Sequence, residues 1–167
     1  PTFTVAATGD ALTYQWQEDK GSGFSNLANG GVYSDVDDAT LTITGAGAGM
    51  DGYKFRCVVD NAYCTDDISG EATLTVQTAP TITVDPSDES ICANSNASFS
   101  VTATGSALIY QWQEDAGSGF ADITNGGIYS GATSASLTLT GAGSGINGYD
   151  YRCVVDNAQC PADISAS

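Results

Sequence analysis

The sequence contains no histidine, and this absence removes much of the common catalytic and metal-binding chemistry. Nucleophilic triads of the Ser-His-Asp and Cys-His kinds need an imidazole as the general base, and most zinc sites use imidazole ligands. Hydrolytic chemistry of those kinds is therefore excluded within the chain. The sequence predicts a protein that is not an enzyme.

Positive charge is scarce as well. The chain has 4 Lys and Arg residues against 20 Asp and Glu residues, which gives a formal net charge of -16. A chain this acidic repels phosphate backbones and anionic lipid headgroups, so we expect neither nucleic acid nor a membrane surface as a partner. No apolar run approaches the roughly 18 residues of a membrane-spanning helix, so membrane insertion is not expected either.

What the sequence does have is an internal repeat. The segment YQWQED occurs at residues 14–19 and 110–115, and RCVVDNA occurs at residues 56–62 and 152–158. Both pairs are offset by about 96 residues, and roughly 60% of the aligned positions are identical. A unit of that length is far longer than a solenoid repeat and has the size of a small domain. We therefore predict two similar domains, each with its own core.

Each of the two copies lacks a segment that the other copy has. The first copy has no counterpart of residues 80–96, and the second stops before the counterpart of residues 72–76. We interpret residues 1–77 as a domain that lacks its first strand and residues 81–167 as a domain that lacks its last, with a linker at residues 78–80. We expect an internal window of a longer array, in which further repeats of the same chain are the neighbours.

Short segments of alternating apolar and polar residues predict the secondary structure. The alternation has the period of two that is typical of half-buried β-strands, and no stretch has helical periodicity. Asn-Gly-Gly at residues 29–31 and 125–127 supplies the positive φ angles of tight hairpins. The pattern predicts an all-β fold. It is clearest at two equivalent sets of residues: Leu12, Tyr14 and Trp16 in the first copy, and Leu108, Tyr110 and Trp112 in the second.

The order of these segments resembles the immunoglobulin pattern. In both copies a Trp on the third strand is followed by a Leu-x-Ile/Leu strand and then by Asp/Asn-Gly-x-x-Tyr/Phe-x-Cys. The resemblance implies tandem immunoglobulin-like β-sandwich domains, with Phe55 and Tyr151 at the tyrosine-corner position. It also implies that Trp16 and Trp112 are core residues, which we favour over a role as exposed platforms for sugar rings.

The detailed amino-acid sequence of the repeat resembles the immunoglobulin-like repeats of very large surface adhesins from Bacteroidota. The segments that carry this resemblance include SICANSNASFSVTATG, YQWQED and NGYDYRCVV, and it covers essentially the whole chain. It implies export by the type IX secretion route and an extracellular location on the bacterial cell surface. It also implies a structural or adhesive role as stalk or filament modules, with neighbouring copies as possible partners.

A binding module is the alternative function. Loops at one end of each sandwich could recognise a glycan or a surface protein, as loops on rigid scaffolds often do. Such a role would concentrate the differences between the copies in the loops at one end. The differences are instead spread along the chain, at Lys20/Ala116, Asp35/Gly131 and Lys54/Asp150 among others, which favours the spacer.

Five cysteines fit an oxidising, extracellular environment. In the usual sandwich a cysteine on the second strand faces a cysteine on the sixth strand and forms an inter-sheet disulfide with it. Val5 and Val101 stand at the second-strand position in the two copies, so this standard disulfide is absent. Three pairings stay open. These are local bridges Cys57–Cys64 and Cys153–Cys160, a bridge between Cys92 and Cys153, and a bridge across a domain junction between residues of the Cys92 and Cys160 kinds.

Calcium is the one cofactor that the composition suggests. Carboxylate oxygens are the ligands that calcium prefers, and weak candidates lie in one loop of the first copy and just beyond the linker. No calcium-loop motif of fixed spacing is present, and a solvated acidic surface is the alternative interpretation. The candidates are Asp66, Asp67, Asp85, Asp88 and Glu89.

The extracellular interpretation predicts that the cysteines are oxidised in protein isolated from its native compartment. Intact mass after alkylation, measured with and without prior reduction, counts the free thiols. We expect fewer than five alkylated cysteines before reduction. Alkylation of all five without reduction would contradict the extracellular interpretation.

Overall fold

A computed structural model describes every residue of the chain, from Pro1 to Ser167. It divides into two compact units, Pro1–Val76 and Gln77–Ser167, and the division lies next to the linker predicted at residues 78–80. Each unit has one hydrophobic cluster of buried residues at its centre.

Unit 1 consists of two antiparallel sheets. One has the strand order β1-β5-β4, and the other has the order β3-β2-β6-β7, with β8 also pairing with β6. A 3-10 turn covers Ala48–Met50. The strands are β1 Thr2–Thr4, β2 Thr13–Asp19, β3 Phe24–Asn26, β4 Tyr33–Ser34, β5 Thr40–Ile43, β6 Lys54–Asp60, β7 Asp67–Ile68 and β8 Ala72–Thr73.

Unit 2 repeats this arrangement without a strand equivalent to β8 and adds a strand at its start. Its sheets have the orders β10-β15-β14 and β13-β12-β16-β17, and β9 pairs with β11. A 3-10 turn covers Ser144–Ile146. The strands are β9 Thr81–Val84, β10 Ser95–Ser100, β11 Thr102–Thr104, β12 Ile109–Asp115, β13 Ala121–Asp122, β14 Tyr129–Ser130, β15 Ser136–Ala142, β16 Asp150–Asp156 and β17 Asp163–Ile164.

The two units also share their register. Trp16 of β2 lies opposite Cys57 of β6, and Trp112 of β12 lies opposite Cys153 of β16. Helical structure is limited to the two short 3-10 turns, and neither could cross a bilayer.

Aromatic rings join the two sheets of each unit. Phe3 of β1 stacks on Phe55 of β6 in the other sheet, with ring centroids 4.9 Å apart. In unit 2, Phe99 of β10 stacks on Tyr151 of β16 at 4.8 Å. Large aromatic side chains bury more apolar area than other residues, so each stack, between a partly buried phenylalanine and a buried ring, is a large apolar contact between the two sheets.

The two tryptophans lie beside these stacks. Trp16 is 3% exposed and Trp112 is 0% exposed. Burying an indole N–H without a partner is costly, and each indole here donates its Nε1 proton to a backbone carbonyl at 2.9 Å, of Asp38 and of Ser134 respectively. The tryptophans therefore bind the loop before β5 and β15 to the core.

The tyrosine-corner position differs from the expected arrangement. Phe55 has no hydroxyl, and the hydroxyl of Tyr151 lies 3.3 Å from that of Tyr129 on the opposite sheet. The ring of Tyr151 lies against Phe99, which directs its hydroxyl across the sandwich instead of back along its own chain. The residue thus contributes to an inter-sheet contact.

Replacing Trp112 by Ala should lower the free energy of unfolding of unit 2 by about 3–5 kcal/mol, because it removes a fully buried side chain and leaves a cavity. Urea denaturation followed by unit-specific amide signals would measure the change. The control is Gln159→Ala in the same unit, whose exposed side chain should matter by no more than about 0.5 kcal/mol. A Trp112→Ala variant that kept its denaturation midpoint and lost binding to a glycan would identify a ligand platform instead.

Candidate functional site

The last two residues of β2, Glu18 and Asp19, point to opposite faces of the sheet. Asp19 points outwards, where its Oδ1 accepts the backbone N–H groups of Gly21 at 2.7 Å and Gly23 at 2.8 Å. The bond from Gly21, with that from Gly23, lowers the pKa of the Asp19 carboxyl below its usual value. Asp115 accepts three such bonds and its pKa is lowered in the same way, with the largest contribution from Gly119. These carboxylates order a loop.

The neighbouring glutamate points inwards. Glu18 is 6% exposed, and its carboxylate accepts a hydrogen bond from the hydroxyl of Tyr33 on β4, in the opposite sheet. Its other oxygen lies 2.8 Å from Nζ of Lys20. A buried carboxylate is stable only when it is paired and hydrogen-bonded. The pair with Tyr33 is therefore a polar link between the two sheets, in a sandwich without the usual inter-sheet disulfide.

Unit 2 has the same tyrosine–glutamate hydrogen bond between its sheets, but the residues around the bond differ. The hydroxyl of Tyr129 on β14 donates to Glu114 on β12. Ala116 stands in the place of Lys20, so no ammonium group is present, and Tyr151 replaces Phe55 and brings a second hydroxyl next to Tyr129. The two copies thus satisfy an equivalent inward-facing carboxylate in two ways.

Sequence analysis missed this link. Glu18 and Glu114 follow Trp16 and Trp112 by two residues, in phase with the inward-facing side of the strand, and that phase was the available signal. The tyrosines are equally regular, since both follow an Asn-Gly-Gly turn. Burial raises the pKa of Tyr33 and of Tyr129 well above the usual value, and the bond to glutamate raises it further, so both stay proton donors into the alkaline range where a free tyrosine ionises.

Arginine provides a second repeated arrangement, on the outer face of the β2–β3–β6 sheet. The Arg56 guanidinium lies 3.9 Å from the centre of the Phe24 ring, and its Nε donates to Gln17 at 2.8 Å. Arg152 has the same contacts with Phe120 and Gln113. These cation–π contacts fix the short outer strand to the sheet.

All five cysteines are free thiols in the structure. Cys57 and Cys153 are buried in the cores, Cys64 and Cys92 are exposed, and Cys160 is half-buried with its Sγ 3.8 Å from the carbonyl oxygen of Gln77. Burial raises the pKa of Cys153 to about 11, and that of Cys57 is raised for the same reason. Thiols of this kind are unreactive, because the thiolate is the nucleophile. The three disulfide pairings stay predictions.

The calcium candidates do not converge. The structure contains no group of three or more acidic or cysteine side chains arranged to hold a metal ion. Two of the candidate carboxylates have structural contacts: Asp67 accepts the backbone N–H of Ile68, and Asp85 accepts that of Ala166. Asp66, Asp88 and Glu89 are exposed.

No protein-family model and no curated protein matches the sequence. Several solved structures are similar to it. An I-band fragment of titin has a TM-score of 0.69 at 19% identity, over 98% of this chain and 56% of that one. The N-terminal four Ig domains of Dscam1 isoform 1.9 have a TM-score of 0.56 at 20% identity, over 98% and 38%. The N-terminal eight Ig domains of Down Syndrome Cell Adhesion Molecule isoform 1.30.30 give 0.56 at 20%, over 98% and 20%.

These similarities concern the fold. They confirm the predicted all-β fold of tandem immunoglobulin-like β-sandwiches. The chain spans little more than half of the titin fragment and less of the other two proteins.

The inter-sheet link predicts how stability depends on pH. The folded unit keeps Tyr129 protonated, whereas an unfolded chain ionises tyrosine near pH 10. The stabilisation is therefore complete below about pH 10 and is lost as the pH rises further, by up to about 1.4 kcal/mol per pH unit for each such tyrosine. Denaturation midpoints of unit 2 measured from pH 7 to pH 11.5 would show this fall.

Tyr129→Phe should reduce the alkaline fall and should cost about 1–3 kcal/mol at pH 7, because Glu114 loses its donor. The control is Tyr110→Phe, which removes a hydroxyl that makes no hydrogen bond from a ring on the same core. An unchanged pH profile in Tyr129→Phe would show that the link does not control the alkaline transition.

Proposed function

We propose that the chain is a segment of a long secreted or cell-surface protein in which immunoglobulin-like repeats serve as extracellular stalk or filament modules. One observation carries the proposal. The contacts that join the two sheets recur at equivalent positions in both units: the aromatic stack, the indole bond and the tyrosine–glutamate link. The two units therefore repeat a stable core.

The positions that differ between the copies support the same role. Lys20, Lys54 and their counterparts Ala116 and Asp150 lie at the surface, and their exchange changes the local charge without changing the strand pairing. Spacer modules need a reproducible core and a soluble surface, and the net charge of -16 favours solubility. No loop is set apart in both copies by exposed aromatic residues.

The proposed location is the surface of a bacterium of the Bacteroidota, reached by the type IX secretion route. Two segments of the sequence support this location, because they resemble the repeats of large surface adhesins from that group: SICANSNASFSVTATG and NGYDYRCVV. In this proposal the partners are further repeats of the same chain and neighbouring copies in a filament.

Recognition of a glycan or surface protein is the second candidate, and one side chain favours it. Tyr63 is 92% exposed in the loop after β6, where an aromatic ring could stack on a sugar. Gln159 stands at the same position in unit 2, so such a site would belong to unit 1 alone.

An antibody raised against the 167-residue chain tests the stalk proposal on cells of the source organism. We expect it to label intact cells, and we expect immunogold particles to lie beyond the outer membrane by more than the size of one domain. An antibody against a cytosolic protein is the control, and it should label only permeabilised cells. Labelling by the chain antibody that also requires permeabilisation would contradict the proposal.

A further inference from the structure

The segment that leads into β9 is held by unit 2. The sequence predicts a linker at residues 78–80, but residues 77–80 belong to the compact body of unit 2. Pro80 is buried, and β9 follows it directly and pairs with β11. The backbone of a flexible linker is solvated and makes few contacts with the domains that it joins. The contacts of residues 77–80 therefore decide whether this segment behaves as a linker.

Thr78 has its backbone N–H, its backbone carbonyl and its hydroxyl in hydrogen bonds. The N–H donates to Oγ of Ser106 at 3.2 Å, and the hydroxyl lies 3.0 Å from the same oxygen. The carbonyl accepts the N–H of Ser106 at 3.2 Å and Nδ2 of Asn157 at 2.9 Å. Two separate parts of unit 2, the turn between β11 and β12 and the loop after β16, thus hold one residue.

The loop after β16 is shaped to present the Asn157 amide to Thr78. Asn157 is 3% exposed, and its Oδ1 accepts the backbone N–H groups of Gln159 at 3.2 Å and Cys160 at 2.9 Å. Ala158 has a φ of 62°, a left-handed conformation that costs an alanine free energy. The oxygen of the amide orders the loop, and its nitrogen is left to donate to Thr78.

The next two residues pack against a glycine. Gly105 has a φ of 140°, and a Cβ atom there would lie 2.9 Å from the carbonyl oxygen of Ala79 and 3.0 Å from Cα of Pro80. Only glycine allows two backbone segments to approach so closely. Beyond Pro80, the N–H of Ile82 donates to Oδ2 of Asp163 at 2.7 Å. The segment is therefore fixed from Thr78 into β9.

We propose that Asn157 and Gly105 clamp residues 77–80 onto unit 2, and that this clamp protects the segment from endoproteases. The side chains of Thr78 and Ala79 are exposed, so the protection comes from the backbone bonds and not from burial. A protease cleaves the segment only after those bonds have opened. The inference rests on the proposed function and deepens it, because a stalk module outside the cell meets proteases.

The first test measures the protection itself. The full 167-residue chain is digested under native conditions with a broad-specificity protease such as proteinase K, and intact mass follows cleavage within residues 77–80. A synthetic peptide of residues 73–84 gives the rate for the same sequence without the clamp. We expect the native chain to be cleaved within residues 77–80 at least about tenfold more slowly than the peptide. Protection below that value would overturn the proposal.

A matched pair of variants tests the role of Asn157. Asn157→Asp keeps the acceptor oxygen that orders the loop, but it removes the Nδ2 donor and places a carboxylate against the Thr78 carbonyl. Cleavage within residues 77–80 should become at least about fivefold faster. Asn61→Asp makes the same change in the equivalent loop of unit 1, where Oδ1 accepts the N–H groups of Tyr63 and Cys64, and should leave that rate unchanged.

A second pair keeps the proposal testable if Asn157→Asp unfolds unit 2. Gly105→Ala pushes the segment away and should also speed its cleavage, whereas Gly9→Ala should not, because a Cβ at Gly9 meets only the side chain of Leu12. Amide signals of β12 and β16 report whether unit 2 is folded. An unchanged rate in either unit 2 variant that keeps these signals would overturn the proposal. Cell-surface labelling is independent of these rates, so a failure here leaves the stalk proposal standing.

Discussion

The contact between the two sheets inside each unit is the constraint on which the rest of the structure depends. Phe3 against Phe55, and Phe99 against Tyr151, join strands that belong to different sheets. Val5 and Val101 stand where the usual inter-sheet disulfide has a cysteine, and in the structure, where all five cysteines are free thiols, these non-covalent contacts join the sheets. The tryptophans extend the same contact to the loops through their indole N–H groups.

An inward-facing carboxylate is the second element of that contact; it is buried in unit 1, as Glu18, and partly exposed in unit 2, as Glu114. Glu18 is balanced by Tyr33 and Lys20, whereas Glu114 is balanced by Tyr129 with Tyr151 beside it. The change from lysine to alanine at one position thus accompanies the change from phenylalanine to tyrosine at another. A polar link of this kind fixes the relative position of the sheets, because its geometry is more specific than that of apolar packing.

The strands, the repeat and the immunoglobulin-like fold could be predicted because alternation and a fixed offset are properties of the residue order. The tyrosine–glutamate link could not, because glutamate at the end of a strand is usually solvated and only its phase indicated the core. The hydroxyl of Tyr151 was expected at a tyrosine corner, but its direction depends on the stacking of its ring against Phe99, which is a tertiary contact. Disulfide pairing depends on oxidation as well as on distance, so spacing alone left it open.

Native-state hydrogen exchange of the full chain tests most directly whether each unit is held by its own inter-sheet core. The account predicts that the amides of β2 and β6 share one free energy of opening and those of β12 and β16 share another, and that Phe99→Ala lowers only the second. Equal loss of protection in both units, or no loss in β12 and β16, would contradict it.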